Sequence, residues 1–401
     1  MPEETDSEAF FTKVLALKEP WVVQSVVLSE DAKRTDLKVG VRYGQRIPCP
    51  NCGEPCDVHD RVRRTWRHLD VCDSECYVVA EIPRTRCEKC GILQLKVPWA
   101  REYVSYTNEF ERKAMELLRS MPISKVAGVM RIGRSALEGM IKHHVDRHLD
   151  RMDLSSVKRI FLDETSSKRR HRYITVIADA DTKRIIFITE GKGAESIGRF
   201  SEWLIDHNGN PRNIELVSCD FSIPFMAGIK EYLPSADIVY DRFHLAKMAN
   251  DALDKIRAQN HNLSYKRIRF KLLKNWKDLS EEDRKIVFGI KEENKVIGLA
   301  YEMKESLIQL YDYPDIESAS EHVRQWLDWV SEEGQPRMKA LGRTVSRHFH
   351  KILNWYHNRM SNGFMEGLNG MIQTTKRMAR GYPNTQNFIS MIYFRHGRLD
   401  I

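Results

Sequence analysis

Arg159-Ile-Phe-Leu-Asp163, Tyr173-Ile-Thr-Val-Ile-Ala178 and Arg184-Ile-Ile-Phe-Ile-Thr189 are three apolar runs in quick succession, divided by short polar turns. Runs of this length, rich in β-branched residues, read as buried strands, and their close spacing reads as an antiparallel meander. Working outward, the pattern turns to helix over 195–207, strand over 214–219, helix over 224–233 and strand over 237–240. Asp163 closes the first strand and Asp220 the fourth.

Three antiparallel strands, then helix, strand, helix and strand, is the order of the RNase H-like fold. In that fold the first and fourth strands are neighbours, which sets Asp163 and Asp220 side by side. Mg²⁺ takes oxygen ligands and keeps several waters, so it completes its shell with substrate phosphate. Two such ions about 3.5–4 Å apart serve phosphodiester cleavage. Two carboxylates do not usually hold them, and a third is expected from a later helix. Rival acids have simpler roles. Asp179 and Asp181 sit in a hairpin turn where Asp bonds locally, and Glu164 should face away from Asp163 along a strand. Asp241 opens Asp241-Arg-Phe-His244 either as a helix cap or, with His244, to orient metal ligands.

Charge locates the third acid. The chain has 401 residues and a net charge of +8, but the 64 residues 336–399 hold eleven Lys or Arg and one acid, Glu366. That stretch is +10 and the remainder is −2. A second run, 255–277, has eight basic residues and no acid. Such fields suit phosphates. On a helix, Asn362, Glu366, Asn369 and Gln373 share one polar face, with Gly363, Gly367 and Gly370 beside it. Three helical glycines make sense where another backbone or DNA comes close. Lys376, Arg377 and Arg380 follow as phosphate contacts.

Seven of the eight cysteines lie between Cys49 and Cys90. Cys49-Pro-Asn-Cys52-Gly53 and Cys87-Glu-Lys-Cys90-Gly91 are knuckles suited to tetrahedral Zn²⁺, with Cys56, Cys72 and Cys76 as competing ligands. Cys219 reads as a core residue. Arg61-Val-Arg-Arg-Thr-Trp-Arg-His68 is either a solvated strand edge or a DNA backbone contact through Arg64 and Arg67. Next come helical patterns over 108–121, 123–130 and 134–145, the last two about a turn at Ile132-Gly133. In the last helix Leu137, Met140, Ile141 and Val145 mark one buried face. Arg134, Ser135, Lys142 and His143 stand opposite, a helix-turn-helix pattern.

The residues from 251 to 356 are helical in pattern and too long for a loop. They read as an all-α insertion. Core packing is the expected role of Trp276, Trp326, Trp329 and Trp355, with stacking on an unpaired base as the alternative. With 42% apolar residues the chain is not disordered. It has no run of about 18 apolar residues and an acidic start, so a soluble, cytoplasmic protein is expected.

Asp163-Glu164, Asp220, Asp241-Arg-Phe-His244 and Asn362-Gly-x-x-Glu366-Gly-x-Asn369, behind the Cys49/Cys52/Cys87/Cys90 finger, the Trp66-Arg-His-Leu-Asp70 element and the helix-turn-helix, resemble the bacterial DDE transposases of the ISL-three family. The resemblance covers nearly the whole chain. It implies a multidomain α+β protein: an N-terminal segment (1–46), a zinc-finger domain (47–100), a helix-turn-helix domain (101–155), and an RNase H-like catalytic domain in two parts (156–250 and 357–401) split by the insertion (251–356). It further implies catalysis by Asp163, Asp220 and Glu366 with two Mg²⁺ ions or Mn²⁺ in their place. Asp241, His244, Asn362 and Asn369 would stand behind them. The implied partners are terminal inverted repeats, target DNA and a second copy of the chain, in a nucleoid-associated setting. The alternatives are a zinc-finger and helix-turn-helix regulator with an inert catalytic fold, and a structure-selective nuclease.

Overall fold

Two long strands with inward-facing apolar residues organise the N-terminal unit, Met1–Met140. The computed structural model describes residues 6–41, 44, 46–168, 172–260, 268–359 and 363–399, so Asn362 lies outside the described residues. After helix α1 (Ser7–Val14), strands β1 (Trp21–Leu28), β2 (Arg34–Val41), β3 (Ile47–Pro48), β4 (Pro55–Arg67), β5 (Glu75–Cys87) and β6 (Gly91–Gln94) form one sheet. Its order is β1-β2-β5-β4-β3, with β6 also on β5. The β2–β5 pair is parallel and β4–β5 is a long antiparallel hairpin. Cys76, Val78, Ala80 and Ile82 alternate inward along β5, all at most 1% exposed. Trp99 packs edge-on against both Trp21 and Trp66, with ring centroids 4.9 and 5.5 Å apart. Thus the segment before Ile47, where sequence patterning marks no element, supplies two strands of the sheet that bears the cysteines.

Arg67 does not lie on a DNA-facing edge. It is 5% exposed, ion-paired to Asp70 at 2.5 Å, and donates to the carbonyls of His68 and Cys76 at 2.7 and 3.2 Å. A guanidinium buried this way braces the end of the hairpin, which corrects the expected phosphate contact. Helix α2 (Asn108–Ser120) is capped by Thr107, and α3 (Ile123–Met130) ends on Arg131 with φ +52°. The left-handed residue of the turn is therefore Arg131, not Gly133. Its side chain offsets the strain of that conformation by pairing with Asp70 and donating to the Asp73 carbonyl at 3.1 Å. Helix α4 (Arg134–Leu149) follows, and Leu137, Met140, Ile141 and Val145 are its buried face. The division between the two units falls within α4.

The second unit, Ile141–Ile401, contains strands β7 (Arg159–Lys168), β8 (Arg172–Asp179), β9 (Ile185–Glu190), β10 (Leu216–Cys219) and β11 (Asp237–Tyr240) in the order β11-β10-β7-β8-β9. The meander β7–β8–β9 is antiparallel, and β10 is parallel to both β7 and β11. Helices α5 (Ala194–Asp206) and α6 (Ile223–Tyr232) pack together. Asp163 falls within β7 rather than at its end, because the polar tail Glu164 to Lys168 still pairs with β8 as far as Arg172.

After β11 the described residues up to Arg359 contain no strand. They form α7 (Arg242–Gln259), α8 (Arg269–Leu273), α9 (Glu281–Glu293), α10 (Lys295–Gln309), α11 (Ile316–Glu333), α12 (Pro336–Arg347), α13 (Phe349–Leu353) and α14 (Trp355–Asn358). Helix α7 packs against α10 and α12. Trp326 and Trp355 are buried, and Trp326 donates to the Met303 carbonyl at 2.8 Å. Trp329 is half-buried, whereas Trp276 is 38% exposed. Helices α15 (Gly363–Met378) and α16 (Thr385–His396) complete the unit, α15 along β7 and α16 against β9. No helix among the described residues is long and apolar enough to cross a membrane.

Arg67→Ala is expected to destabilise the N-terminal unit by about 3 kcal/mol, because it strips a buried ion pair. Urea unfolding measures this, and a stability equal to wild type would restore Arg67 to the surface.

Candidate catalytic cavity and metal centre

The four knuckle cysteines converge. The ligand sulfurs of Cys49, Cys52, Cys87 and Cys90 all lie within 4.8 Å of one another, and those of Cys52 and Cys87 are 3.6 Å apart. Tetrahedral zinc with Zn–S bonds of about 2.3 Å needs sulfurs about 3.8 Å apart, so the donor set fits Zn²⁺. Both knuckle glycines take positive φ, Gly53 at +77° and Gly91 at +78°. Backbone N–H groups then serve the sulfurs: those of Cys52 and Asn51 hold the Cys49 thiol below its ordinary range, and those of Cys90 and Lys89 bring Cys87 down to about 6. Burial and the neighbouring sulfurs push Cys52 the other way, up to about 12, so a metal would have to displace that proton on binding. Cys56 is packed beside the cluster, but its thiol donates to the Glu54 carbonyl at 3.2 Å. Cys76 is fully buried, its thiol pushed up to about 12 by desolvation, and Cys72 is exposed. Cys219 is buried, as expected of a core residue.

The DNA-facing candidates divide. Arg64 is half-buried, its guanidinium 5.1 Å over the Trp66 ring and donating to the Val104 carbonyl at 3.3 Å. On α4, Ser135 and Lys142 are exposed. Arg134 pairs with Glu138 at 2.8 Å and Lys142 with Asp146, while His143 stacks edge-on against His144. Such surface pairs are weak and can be exchanged for phosphates.

Around β7 the acidic residues gather. Leu216, Val217 and Ser218 of β10 pair in register with Arg159, Ile160 and Phe161 of β7, and Asp220, two residues past the last pair, is near enough for its charge to act on Asp163. Asp163 and Glu366 line one cavity of about 540 Å³, together with Asp241, His244 and Asn369. One oxygen of Asp163 accepts from the Glu164 N–H at 2.7 Å and the other from Asn369 Nδ2 at 2.8 Å. Gln373 donates to Thr165 Oγ1 at 2.7 Å and to the Ser166 carbonyl at 2.9 Å, and Lys376 to that carbonyl at 2.8 Å. The polar face expected of α15 is therefore fastened along β7, with Glu366 exposed at its first turn. Lys376 is spent on this attachment, whereas Arg377 and Arg380 are exposed. A Cβ on Gly367 or Gly370 would meet nothing within 4 Å, so no neighbouring backbone among the described residues explains these two glycines.

Asp241 caps α7, accepting from the Phe243 N–H at 3.1 Å, and its other oxygen holds His244 Nδ1 at 3.0 Å. The helix-cap role is thus filled, and the same carboxylate holds the His244 ring. This contact raises the His244 pKa. Burial pushes Asp163 up to about 6, reinforced by the charges of Asp220 and Asp241. Among the rivals, Asp179 accepts from Asp181 N and Thr182 N within its turn, and Asp181 pairs with Arg159. Lys247, Asn250, Lys274 and Asn275 also line the cavity. Sequence patterning did not single them out, although Phe243, Ala246, Lys247 and Asn250 recur at helical spacing.

Cys87→Ser is expected to lose bound zinc while Cys56→Ser retains it; elemental analysis of the purified proteins checks both. Asp163 binds its proton more tightly folded than unfolded, so its ionisation costs stability as pH rises from about 4 to 6. In metal-free protein, Asp163→Asn should therefore raise stability at pH 7.5 by on the order of 2 kcal/mol, with the gain fading by pH 4. Thermal melts at the two pH values test this, and a gain independent of pH would contradict it.

Known proteins share this layout. A family model described as transposase matches residues 160–392. One for the helix-turn-helix domain of transposase family ISL3 matches residues 95–145, and one for the zinc finger of the IS204, IS1001, IS1096 and IS1165 transposases matches residues 45–90. The chain is 26% identical over 385 residues to the transposase for insertion sequence element IS1001 of Bordetella parapertussis, covering 92% of this chain and 94% of that protein. It is also 26% identical over 422 aligned residues to the transposase for IS1557 of Mycobacterium tuberculosis, covering 95% and 94%. Because the transposase match spans more than half of the chain, behind matching zinc-finger and helix-turn-helix segments, the chain belongs to the ISL3 family of transposases.

Proposed function

We propose that this chain is a polynucleotidyl transferase with an RNase H-like catalytic core that cuts and joins DNA at the terminal inverted repeats of an insertion sequence, using Asp163, Asp220 and Glu366. The observation that carries this reading is the cavity shared by Asp163 and Glu366, with the charge of Asp220 acting on Asp163. The sheet order, with two strands parallel to β7 in series on one side and an antiparallel meander on the other, supports the core assignment. Residues 251–356 would then form the all-α insertion.

Carboxylate oxygens are the donors a hard divalent cation takes, and the charges of Asp220 and Asp241 act on Asp163. Among the described residues only the four cysteines are already gathered as a ligand set, so the acids would close around an ion as it binds. Two Mg²⁺ ions, or Mn²⁺, would activate the attacking oxygen and stabilise the leaving one. The chain's own contribution is orientation. Glu164 N–H and Asn369 fix the Asp163 carboxylate from two sides, and Asp241 holds the His244 ring beside it. Water would first cut the strand and leave a 3′-hydroxyl, which would then attack target DNA. The zinc-bearing sheet and α4 would recognise the repeats, and Arg377 and Arg380 would hold phosphates near the acids. Bringing two ends together requires at least a homodimer, acting in the bacterial cytoplasm on nucleoid DNA.

A labelled duplex carrying the element's end, incubated with Mg²⁺ or Mn²⁺, tests the proposal. Asp163→Asn is expected to bind it as wild type does and to lose at least ~100-fold in cleavage, beyond the 10–100-fold typical of an outer-shell residue. Binding without cleavage by wild type would favour a regulator, and cleavage without strand transfer would favour a nuclease.

A further inference from the structure

The cavity that holds Asp163 and Glu366 has a second wall, made by α7 and by a stretch with little regular structure. Leu273, Lys274 and Asn275 line the space. Leu273 ends α8, and the other two lead into a short 3₁₀ turn at Trp276–Asp278. Lys274 belongs to the basic, acid-free run 255–277. It is exposed and makes no ion pair among the described residues. Asp283, whose carboxylate its charge reaches, is already paired with Lys271.

Backbone groups outside helix and strand must find partners elsewhere. Here side chains of α9 and α10 supply them. Lys304 is 0% exposed, and its Nζ donates to the Lys274 carbonyl at 2.9 Å, with a longer contact to the Leu272 carbonyl at 3.5 Å. Its charge is balanced by Glu305 Oε1 at 2.5 Å. The other Glu305 oxygen accepts from the Trp276 N–H at 3.0 Å. Arg284 donates to the Trp276 and Lys277 carbonyls at 3.2 and 3.3 Å. Three side chains thus fix the course of the backbone from Leu272 to Lys277.

A buried ion pair is a poor way to fill space, since apolar residues of similar size often leave a protein as stable. What this pair adds is a set position for Lys274. A lysine on a braced backbone loses less freedom on meeting an anion than one on a loose loop. Lys247, which lines the same cavity, has helix α7 to hold it and needs no such brace. We propose that Lys274 contacts a DNA phosphate in this cavity, and that the buried Lys304–Glu305 pair is the positioning unit that sets it there. The inference rests on the reading of the cavity as the DNA-cleaving site. Lys304 has no exposed surface with which to touch DNA, so it acts only through the segment that it holds.

A lysine that neutralises a phosphate releases counterions, so the steepness of log affinity against log salt counts such contacts and falls by about 1 for each one lost. The full chain is titrated with a duplex of the element's end at several salt concentrations, with Ca²⁺ and no Mg²⁺. Lys274→Ala is expected to reduce the steepness by about 1. Lys304→Met should reduce it equally, although it removes no exposed charge, and should add nothing once Lys274 is replaced by alanine. In a Lys247→Ala background its effect should return in full. Inactive protein shifts every point alike, so a folding defect cannot imitate the change. Arg284→Gln, nearer the surface, carries the same comparison if Lys304→Met does not fold. A wild-type steepness in Lys274→Ala or in Lys304→Met would overturn the proposal, as would a further loss when the two are combined. Each of these results leaves the transposase reading intact. Failure of wild type to bind or cut the end would overturn both.

Discussion

The attachment of α15 to β7 is the contact on which the catalytic cavity depends. Asn369, Gln373 and Lys376 descend one helix face and meet Asp163, Thr165 and Ser166 in order along the strand. Asn369 and Asp163 are 206 residues apart in sequence, so no local preference brings them together. Helical rise and strand rise differ, about 1.5 against 3.3 Å per residue. A match over one and a half to two turns of helix therefore defines a single docking height. At that height Glu366, one turn before Asn369, comes to the cavity.

The arrangement carries a cost at its centre. Asp163 is half-buried, and desolvation together with the charges of Asp220 and Asp241 opposes its ionisation. A side chain chosen for stability alone would be neutral there. The backbone N–H of Glu164 and the charge of His244 offset part of that cost, and Asn369 holds the second oxygen. The zinc centre uses a related device, with backbone N–H groups stabilising thiolates at Cys49 and Cys87.

Much of this was legible from residue order. The apolar runs of β7, β8 and β9 announced themselves, the cysteine knuckles by spacing, and Glu366 as one acid in a basic field. What escaped depends on tertiary contact. The tail of β7 is polar, and its strand character comes from pairing with β8 and from the side chains of α15. Arg67 looks like any basic residue of its run until Asp70 is seen to neutralise it. Arg131 occupies the left-handed turn position that Gly133 would suit by composition, because distant acids hold its side chain. The second cavity wall joins α7 to the segment after α8, a proximity that periodicity within either segment cannot report.

Asp70 is ion-paired to both Arg67, which braces the hairpin, and Arg131, which ends α3. The turn leading out of α3 is therefore keyed to the sheet instead of swinging on a linker. Aim is thus a property of the sheet as much as of the helices: a change at Asp70 would redirect the helix pair without altering a residue in either.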